Sequence, residues 1–308
     1  MDRRAQWIFA VAVSFVLSLG VSSLGFATDV DGPDDCIRFT DDFGDAPESI
    51  PAYPSGVLGK FPTCSTPGLV GTQTGPCPFI STTPGPTGFV RHAHSVPGTF
   101  FLGCYPGPMG YDEDVDGKVN TPLLGFTACV VGVTTDCATT AFGGMAFDQD
   151  ECFGDGSDAG LTLMPVLTTC ASSTVTYNAY TCHAPAQAFL NILVDMNGDG
   201  DWNDNFSCPP PVSTCAYEWA VKNQTIALTP GCNTLVSPPF NVGPNPNHSW
   251  LRISITAMPM PDDFPWNGTA SLPSLPVVNG ETEDYPVEIE APVPTQASSW
   301  GRVKAVYR

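Results

Sequence analysis

The sequence predicts an all-β fold: an antiparallel β-sandwich with a loop-rich, disulfide-stapled N-terminal region. Three observations predict it. Apolar and polar residues alternate at period two in five short segments, whereas helical periodicity is nearly absent. The 30 glycines and 32 prolines of the 308-residue chain supply turns between such segments. Twelve cysteines are available as cross-links.

The chain begins with a predicted signal peptide, residues 1–27. Arg3 and Arg4 precede an apolar run over residues 7–21, and small residues follow the run. This is the three-part layout of a secretory signal. Because the run is shorter than the roughly 18 residues of a transmembrane helix, we expect a mature chain from Thr28. We expect that chain to be secreted or on the cell surface, with no membrane span.

Residues 28–145 form a Cys/Pro/Gly-rich region with few clean alternations. It contains six of the twelve cysteines. Two interpretations stay open for this region. It is either a second module or an irregular, disulfide-stapled extension of the domain that follows.

Residues 146–291 are predicted to form the β-sandwich. Five segments within them alternate, so that one side of each faces the core. Short strands separated by Pro/Gly turns are typical of a sandwich. The inward residues are Val175, Tyr177 and Ala179, then Leu190, Ile192 and Val194, then alternate residues of TIALTPG, then Leu251, Ile253 and Ile255, and finally Val287 and Ile289.

The mature chain is strongly acidic. The whole chain has 31 acidic and 11 basic side chains, of which residues 1–27 contain one and two, so 30 and nine remain and the formal charge is −21. Three of the nine bases lie in residues 292–308, a predicted linker and basic tail. This balance disfavours nucleic acid and anionic membranes as partners and favours cations or basic partners. A charge that serves only solubility is the alternative.

An even number of cysteines in an exported chain predicts disulfides. No CxxC or zinc-finger spacing occurs, which disfavours a metal–thiolate site. The sequence does not determine the connectivity, but closely spaced cysteines suggest hairpin or loop cross-links. The suggested pairs are Cys64–Cys77, Cys129–Cys137, Cys170–Cys182 and Cys208–Cys215.

The stretch DMNGDGDWND concentrates oxygen-bearing side chains. Asp195, Asn197, Asp199 and Asp201 fall at alternate positions, with glycines between them. Calcium accepts roughly six to eight oxygens, and this spacing lets one loop supply several. The loop is not a complete EF-hand, because position twelve is Phe206 and a strand precedes the loop, so further ligands must come from elsewhere. A solvated acidic turn is the alternative.

The stretch NGETEDYPVEI offers candidates for those further ligands. Glu281 and Glu283 share the parity of the inward residues of the last strand, so both face the core if the strand begins early enough. Buried carboxylates need a cation or several donors. We therefore predict one calcium ion held by the loop and by Glu281, Glu283 or Asp284. A bend before Tyr285 would instead expose the two glutamates to water.

Together these motifs resemble the GEVED domain of secreted bacterial proteins. The runs LNILVDMNGDGDWND, IALTPGCNTL, WLRISI and GETEDYPVEI occur in that domain's order, and GETED has Thr282 in place of the namesake valine. Upstream, DFGDAPESI, an Arg-His pair and DEDVDG resemble the DFGDAP-type segment that often precedes the domain. The cysteines and the insert at 208–215 depart from the pattern. The resemblance implies an extracellular β-sandwich with calcium sites and no established enzymatic activity.

The sequence contains no catalytic motif that we can identify. His92 and His94 form HxH, but no HExxH, GxSxG or phosphate-binding glycine loop accompanies them. We therefore predict a non-catalytic, calcium-stabilised structural or adhesive surface module, whose oligomeric state the sequence does not determine. The alternatives are a module that binds an extracellular glycan or protein, and an accessory domain of a secreted hydrolase. The tryptophans available for a sugar-binding platform, or for core packing, are Trp202, Trp219, Trp250 and Trp266.

The first testable prediction concerns export and oxidation. Protein recovered from a secreting host should begin near Thr28, because the signal peptide is removed, and should contain no free thiol. Intact mass after alkylation in denaturant should show no adduct without reductant and twelve adducts after reduction. Adducts on several cysteines of the unreduced protein would contradict the disulfide prediction.

Overall fold

The computed structural model describes residues 41–44, 46–61, 71–79, 91–93, 100–104, 160–181, 186–210, 213–262, 277–278 and 280–292. These residues all belong to one compact unit, Asp35–Arg308. Within these ranges the chain forms strands and turns and no helix, which confirms the predicted all-β class. None of the described residues belongs to a helix that is long and apolar enough to cross a membrane.

The described part of the chain contains seventeen strands, which we number in chain order. They are β1 (Asp41–Phe43), β2 (Glu48–Pro51), β3 (Leu58–Lys60), β4 (Arg91–Ala93), β5 (Phe100–Leu102), β6 (Leu167–Thr168), β7 (Ser172–Ser173), β8 (Thr176–Thr181), β9 (Ala186–Val194), β10 (Asn205–Ser207), β11 (Cys215–Tyr217), β12 (Trp219–Leu228), β13 (Gly231–Val236), β14 (Phe240–Asn241), β15 (Asn247–Thr256), β16 (Val277–Val278) and β17 (Gly280–Glu290).

The largest sheet has the strand order β12–β9–β15–β17–β6. Its neighbours run antiparallel, except that β17 and β6 are parallel. A smaller sheet has the order β13–β8–β5. The five segments that alternate in the sequence are β8, β9, β12, β15 and β17, so the prediction of these strands is confirmed.

The predicted inward residues form one hydrophobic core, which we call the main core. Leu190, Ile192 and Val194 reach it from β9 in the larger sheet, and Tyr177 and Ala179 reach it from β8 in the smaller sheet. All five side chains are fully buried. Two sheets therefore share a core, as a sandwich requires, while the sandwich geometry itself stays a prediction.

The opposite face of the larger sheet is also buried, which the alternation did not predict. Residues 46–61 cover it, and Trp250 Nε1 donates to the Ala52 carbonyl at 2.9 Å. The N-terminal region thus packs on the sheet of the predicted sandwich, whereas the proposed boundary near residue 145 lies outside the described ranges. The members of this second core are Ala46, Ala52, Tyr53, Phe61, Leu193, Trp202, Trp219, Trp250 and Met260.

A fully buried ion pair lies on the same face. Arg252 on β15 is opposite Asp284 on β17, and its Nε donates to Asp284 Oδ1 at 2.7 Å while its Nη2 donates to Oδ2 at 2.5 Å. The Ala46 N–H also donates to Asp284 Oδ2, at 2.8 Å. The guanidinium carbon lies 4.7 Å from the centre of the Trp202 ring. The pair therefore joins two strands to the N-terminal region.

Three disulfides connect described residues, and such cross-links are typical of proteins from oxidising compartments. Each links segments that are far apart in the sequence. Their Cα atoms lie 6.1, 5.0 and 5.5 Å apart, in the order Cys77–Cys215, Cys104–Cys232 and Cys170–Cys208.

The suggested short-range pairing is therefore wrong for three of its four pairs: Cys64–Cys77, Cys170–Cys182 and Cys208–Cys215. The fourth pair, Cys129–Cys137, lies outside the described residues. The hairpin of β10 and β11 shows the physical reason. Ser207 is opposite Cys215, and successive side chains of a strand point to opposite faces. Cys208 therefore points away from Cys215, although the two are neighbours in the hairpin.

The second prediction concerns the buried ion pair. Asp284→Ala leaves Arg252 buried without its carboxylate, so we expect the free energy of unfolding to fall by about 3–5 kcal/mol in urea denaturation. Replacing both partners, Arg252→Met with Asp284→Leu, should recover most of this loss. The exposed pair of Lys222 and Asp262 provides the control, since Asp262→Ala should cost at most about 1 kcal/mol. Equal losses from the two single variants would contradict the importance of burial.

Candidate metal centre

The acidic loop, residues 195–204, follows β9 directly. Asp195 is fully buried, and its carboxylate organises the loop backbone. Oδ1 accepts from the Gly198 N–H at 2.7 Å, and Oδ2 accepts from the Gly200 N–H at 2.7 Å and from the Tyr53 hydroxyl at 2.6 Å. Both glycines have positive φ, 73° and 89°, a conformation that favours glycine. The Gly-Asp-Gly spacing therefore makes this tight loop possible.

The alternating oxygens of the loop also bind its own backbone. Asn197 Oδ1 accepts from the Asp199 N–H at 3.1 Å, and Asp199 Oδ1 accepts from the Asp201 N–H at 3.3 Å. Asp201 Oδ1 accepts in turn from the Asn203 N–H at 3.1 Å. This repeated side-chain contact to the residue two positions on is the Asx turn. One oxygen of each of these residues thus accepts a hydrogen bond that shapes the loop.

Two carboxylates of the loop and one from outside it come together, and we call these three the acidic centre. They belong to Asp201, Asp204 and Glu218, and one oxygen of each lies within 4.8 Å of the others. Their residues are only 0, 3 and 0% exposed. These three groups could hold a metal ion. The sequence pattern identified Asp201 but neither of the other two.

The β10/β11 hairpin places Glu218 in the centre. The chain leaves Asp204 along β10 and comes back beside it along β11. The Glu218 N–H donates to the Asp204 carbonyl at 3.1 Å. Glu218 Oε2 accepts from the Asp204 N–H at 2.8 Å, and Oε1 accepts from the Met196 N–H at 2.8 Å. The signal in the sequence was a single carboxylate between Tyr217 and Trp219, where two strands adjoin.

Residues 71–79 lie along the acidic centre, and we call this segment the strap. The Thr72 N–H donates to Asp201 Oδ2 at 2.9 Å. The Thr74 N–H donates to Asp204 Oδ1, and the Thr74 hydroxyl donates to Asp204 Oδ2 at 2.7 Å. The strap therefore supplies donors to two of the three carboxylates.

Lys60 brings one positive charge to this region. Its Nζ lies 3.3 Å from Asp201 Oδ2 and 3.8 Å from Asp199 Oδ2, and it donates to the Asp199 carbonyl at 2.8 Å. One ammonium group thus faces several carboxylates. The region therefore has an excess of negative charge, which a cation would reduce.

Burial raises the pKa of several carboxyl groups in this region. Burial raises the pKa of Asp195 to about 6, against the hydrogen bond from Tyr53, which lowers it. Burial, together with the charges of Asp201 and Asp195, raises the pKa of Asp199 to about 8. Burial also raises the pKa of Glu218 well above its usual range. Protonation or a bound cation would each reduce the cost of burying these charges.

The three predicted ligands on β17 make other contacts. Glu281 and Glu283 are buried on the core-facing side, as predicted. Glu281 Oε2 accepts from the Leu102 N–H at 2.5 Å, and Glu283 Oε2 accepts from the Gly160 N–H at 2.9 Å. Asp284 points to the other face, where it binds Arg252.

The strand register keeps these groups away from the acidic loop. The Asp195 N–H donates to the Trp250 carbonyl, and Trp250 is opposite Pro286 on β17. Glu283 lies three residues before Pro286, roughly 10 Å along the strand, and β17 is two strands from β9, roughly 10 Å across. The register therefore places the three predicted β17 ligands away from the loop, whereas Asp204 and Glu218 are the carboxylates that lie close to Asp201.

The structure also bears on the two uses suggested for the tryptophans, a sugar-binding platform or core packing. Trp202, Trp219 and Trp250 are 2, 5 and 0% exposed and belong to the second core. These three side chains therefore pack within the protein rather than present a surface to a sugar. The fourth, Trp266, lies outside the described residues.

Comparisons with known proteins leave the family open. No protein-family model matches this chain, and no curated protein matches it. Among solved structures, native alpha-2-macroglobulin from Escherichia coli, spanning the residues from domain MG7 to the C-terminus, is similar at 12% sequence identity and a TM-score of 0.25. The similarity covers 43% of this chain and 16% of that one. At this TM-score it supports no argument about function, and the resemblance to the GEVED domain stays a prediction.

Proposed function

We propose that this chain is an exported, non-catalytic structural or adhesive module of the cell surface or extracellular space, and that its acidic centre binds one calcium ion. The burial of Asp201, Asp204 and Glu218 close together is the observation that supports the metal site. The predicted signal peptide and the GEVED resemblance support export. The disulfides among the described residues agree with an oxidising compartment.

Calcium is the cation that the donors favour. The available groups are carboxylate, amide and carbonyl oxygens, which suit hard cations, whereas the softer metals prefer imidazole or thiolate. A carboxylate oxygen that accepts one N–H retains a second lone pair for a metal. Calcium also tolerates irregular geometry better than magnesium, which demands a near-ideal octahedron. The Asp199 carbonyl and side chain are further oxygens beside the centre.

The site would act as a cross-link. Asp201 and Asp204 lie on the loop after β9, and Glu218 lies between β11 and β12. Extracellular calcium modules bind at about 10⁻⁴–10⁻³ M, so millimolar calcium would add about 0.4–1.4 kcal/mol to the free energy of unfolding. An ion of this affinity stiffens one end of the sheet, while the disulfides and two cores contribute more of the stability. A structural role follows from this balance.

The third prediction tests the ligand set. Asp201→Asn and Glu218→Gln keep the side-chain shapes but remove charge, so the calcium-induced rise in melting temperature should disappear in each. Glu283→Gln is the matched control, because Glu283 is equally buried but lies in the main core. Its calcium-induced rise should equal that of the wild type, even if its melting temperature in chelator is lower.

Calorimetric titration with calcium chloride measures the same site directly. The wild type and Glu283→Gln should bind one calcium ion, and the other two variants should show no binding at millimolar concentration. Absence of binding to the wild type would overturn the proposed calcium site. Loss of binding in Glu283→Gln alone would indicate that Glu283 on β17 is a calcium ligand and that the acidic centre is not the site.

The fourth prediction concerns pH. The pKa of Asp195 is raised from 3.8 to about 6 and that of Asp199 to about 8, so the folded chain binds more protons than the unfolded chain in this range. Their contribution to stability is therefore full below pH 3.8 and is lost as pH rises through these values. In chelator, the free energy of unfolding should fall between about pH 5 and about pH 8.

Calcium should oppose this loss, because a bound dication favours the ionised carboxyls. The calcium-induced gain in stability should therefore increase with pH. Urea denaturation at a series of pH values, with chelator or with calcium, measures both trends, and Glu218→Gln provides the control without a calcium response. A calcium-induced gain that is the same at every pH would contradict the coupling between protons and metal.

A further inference from the structure

The strap is fixed to the acidic centre by a disulfide. Cys77, in the strap, is bonded to Cys215, the first residue of β11. The Cys77 N–H donates to Asn205 Oδ1 at 2.6 Å, and Asn205 Nδ2 donates back to the Cys77 carbonyl at 3.0 Å. The Asn205 N–H donates to the Thr74 carbonyl at 2.9 Å. The strap is thus paired with the segment that follows the acidic loop.

Two glycines let the strap lie this close. A Cβ on Gly75 would overlap the Asn205 carbonyl oxygen, and the φ of Gly75 is +135°. A Cβ on Gly71 would overlap Asn203 Nδ2 and lie 3.0 Å from Asp201 Oδ2. The backbone of the strap therefore approaches the centre at a distance that side chains would prevent.

The strap donates hydrogen bonds to two of the three carboxylates of the acidic centre. Asp201, Asp204 and Glu218 repel one another when ionised, and burial strengthens the repulsion. The Thr72 and Thr74 donors fix the first two in place without adding a charge. In metal sites, such hydrogen bonds to ligands orient the ligands and raise affinity.

We propose that the Cys77–Cys215 disulfide makes cation binding at the acidic centre depend on oxidation of the chain. The inference rests on the proposed calcium site. With the disulfide formed, the strap holds Asp201 and Asp204 in position to share a cation. With two free thiols the strap separates from β11, the carboxylates move apart, and affinity falls. Calcium binding would then develop only after the chain reaches an oxidising compartment.

The chemical step is ordinary disulfide exchange. The two thiols lose two protons and two electrons to a disulfide oxidant of the compartment, which is reduced to a dithiol, and one S–S bond forms. The exported chain would therefore gain a calcium site that its reduced precursor lacks.

The test compares two disulfides of similar span. Cys77→Ala with Cys215→Ala removes the strap's cross-link, and Cys104→Ala with Cys232→Ala removes a cross-link to β13 in the smaller sheet. The sequence separations are 138 and 128 residues, so the loss of chain constraint is matched. Calorimetric titration with calcium chloride should show about ten- to hundredfold weaker binding in the first variant. Binding by the second should stay within about twofold of the wild type, because its disulfide does not contribute to orienting the ligands.

Melting temperatures distinguish a disulfide that only stabilises the fold from one that also orients the ligands. Both double variants should melt at lower temperature in chelator, but only loss of Cys77–Cys215 should also reduce the calcium-induced rise in melting temperature. Gly75→Ala supplies a second route, since it displaces the strap and retains every cysteine. It should weaken calcium binding in the same direction, and unchanged binding would overturn the role of the strap even if the cysteine variant does not fold.

The outcomes separate the two proposals. If the oxidised wild type binds no calcium at millimolar concentration, the proposed calcium site fails and the dependence on oxidation fails with it. If the wild type binds calcium and the variants of the strap bind it equally well, the calcium site stands and the dependence on the disulfide is overturned.

Discussion

Buried carboxylates require partners, and this requirement constrains the whole structure. Three kinds of partner occur. Asp284 binds a guanidinium, Glu283 accepts from a backbone N–H and a tyrosine hydroxyl, and Asp195 accepts from its own loop. The acidic centre differs because its carboxylates lie close to one another and have an excess of charge. Several of the required donors, including those of Thr72 and Thr74, come from the N-terminal region. The described residues 46–61 and 71–79 therefore contribute to the packing and to the site.

The sequence predicted the strands well where the signal is local. Side-chain direction alternates along any strand, so Tyr177, Leu190 and Ile253 could be assigned to the main core from spacing alone. The burial of the second face could not be predicted in this way. It depends on residues 46–61, which lie far from the sheet in sequence and have no clean alternation. The disulfide pairs were also mispredicted. Nearness in sequence does not determine which face of a hairpin a cysteine side chain occupies.

The candidate site was predicted in part. The alternate oxygens of the loop were identified, but Asp195 and its neighbours use much of their hydrogen-bonding capacity to shape the turn. Glu218 was missed because only the return of a hairpin brings it beside Asp204. The parity of Glu283 correctly predicted its face. Parity gives no position along the strand, however, and the register places Glu283 too far from the loop to be a ligand of the same site.

The long ladder between β15 and β17 has a mechanical consequence. Ten consecutive residue pairs join these strands, from Asn247 opposite Ile289 to Thr256 opposite Gly280. Tension on the chain beyond Glu290, directed along the strand, loads the hydrogen bonds of the whole ladder together and not one after another. Arg252 and Asp284 lie near the middle of this ladder, and their ion pair also joins the two strands. A pull on the chain beyond Glu290 would therefore act on a strand that ten residue pairs join to its neighbour.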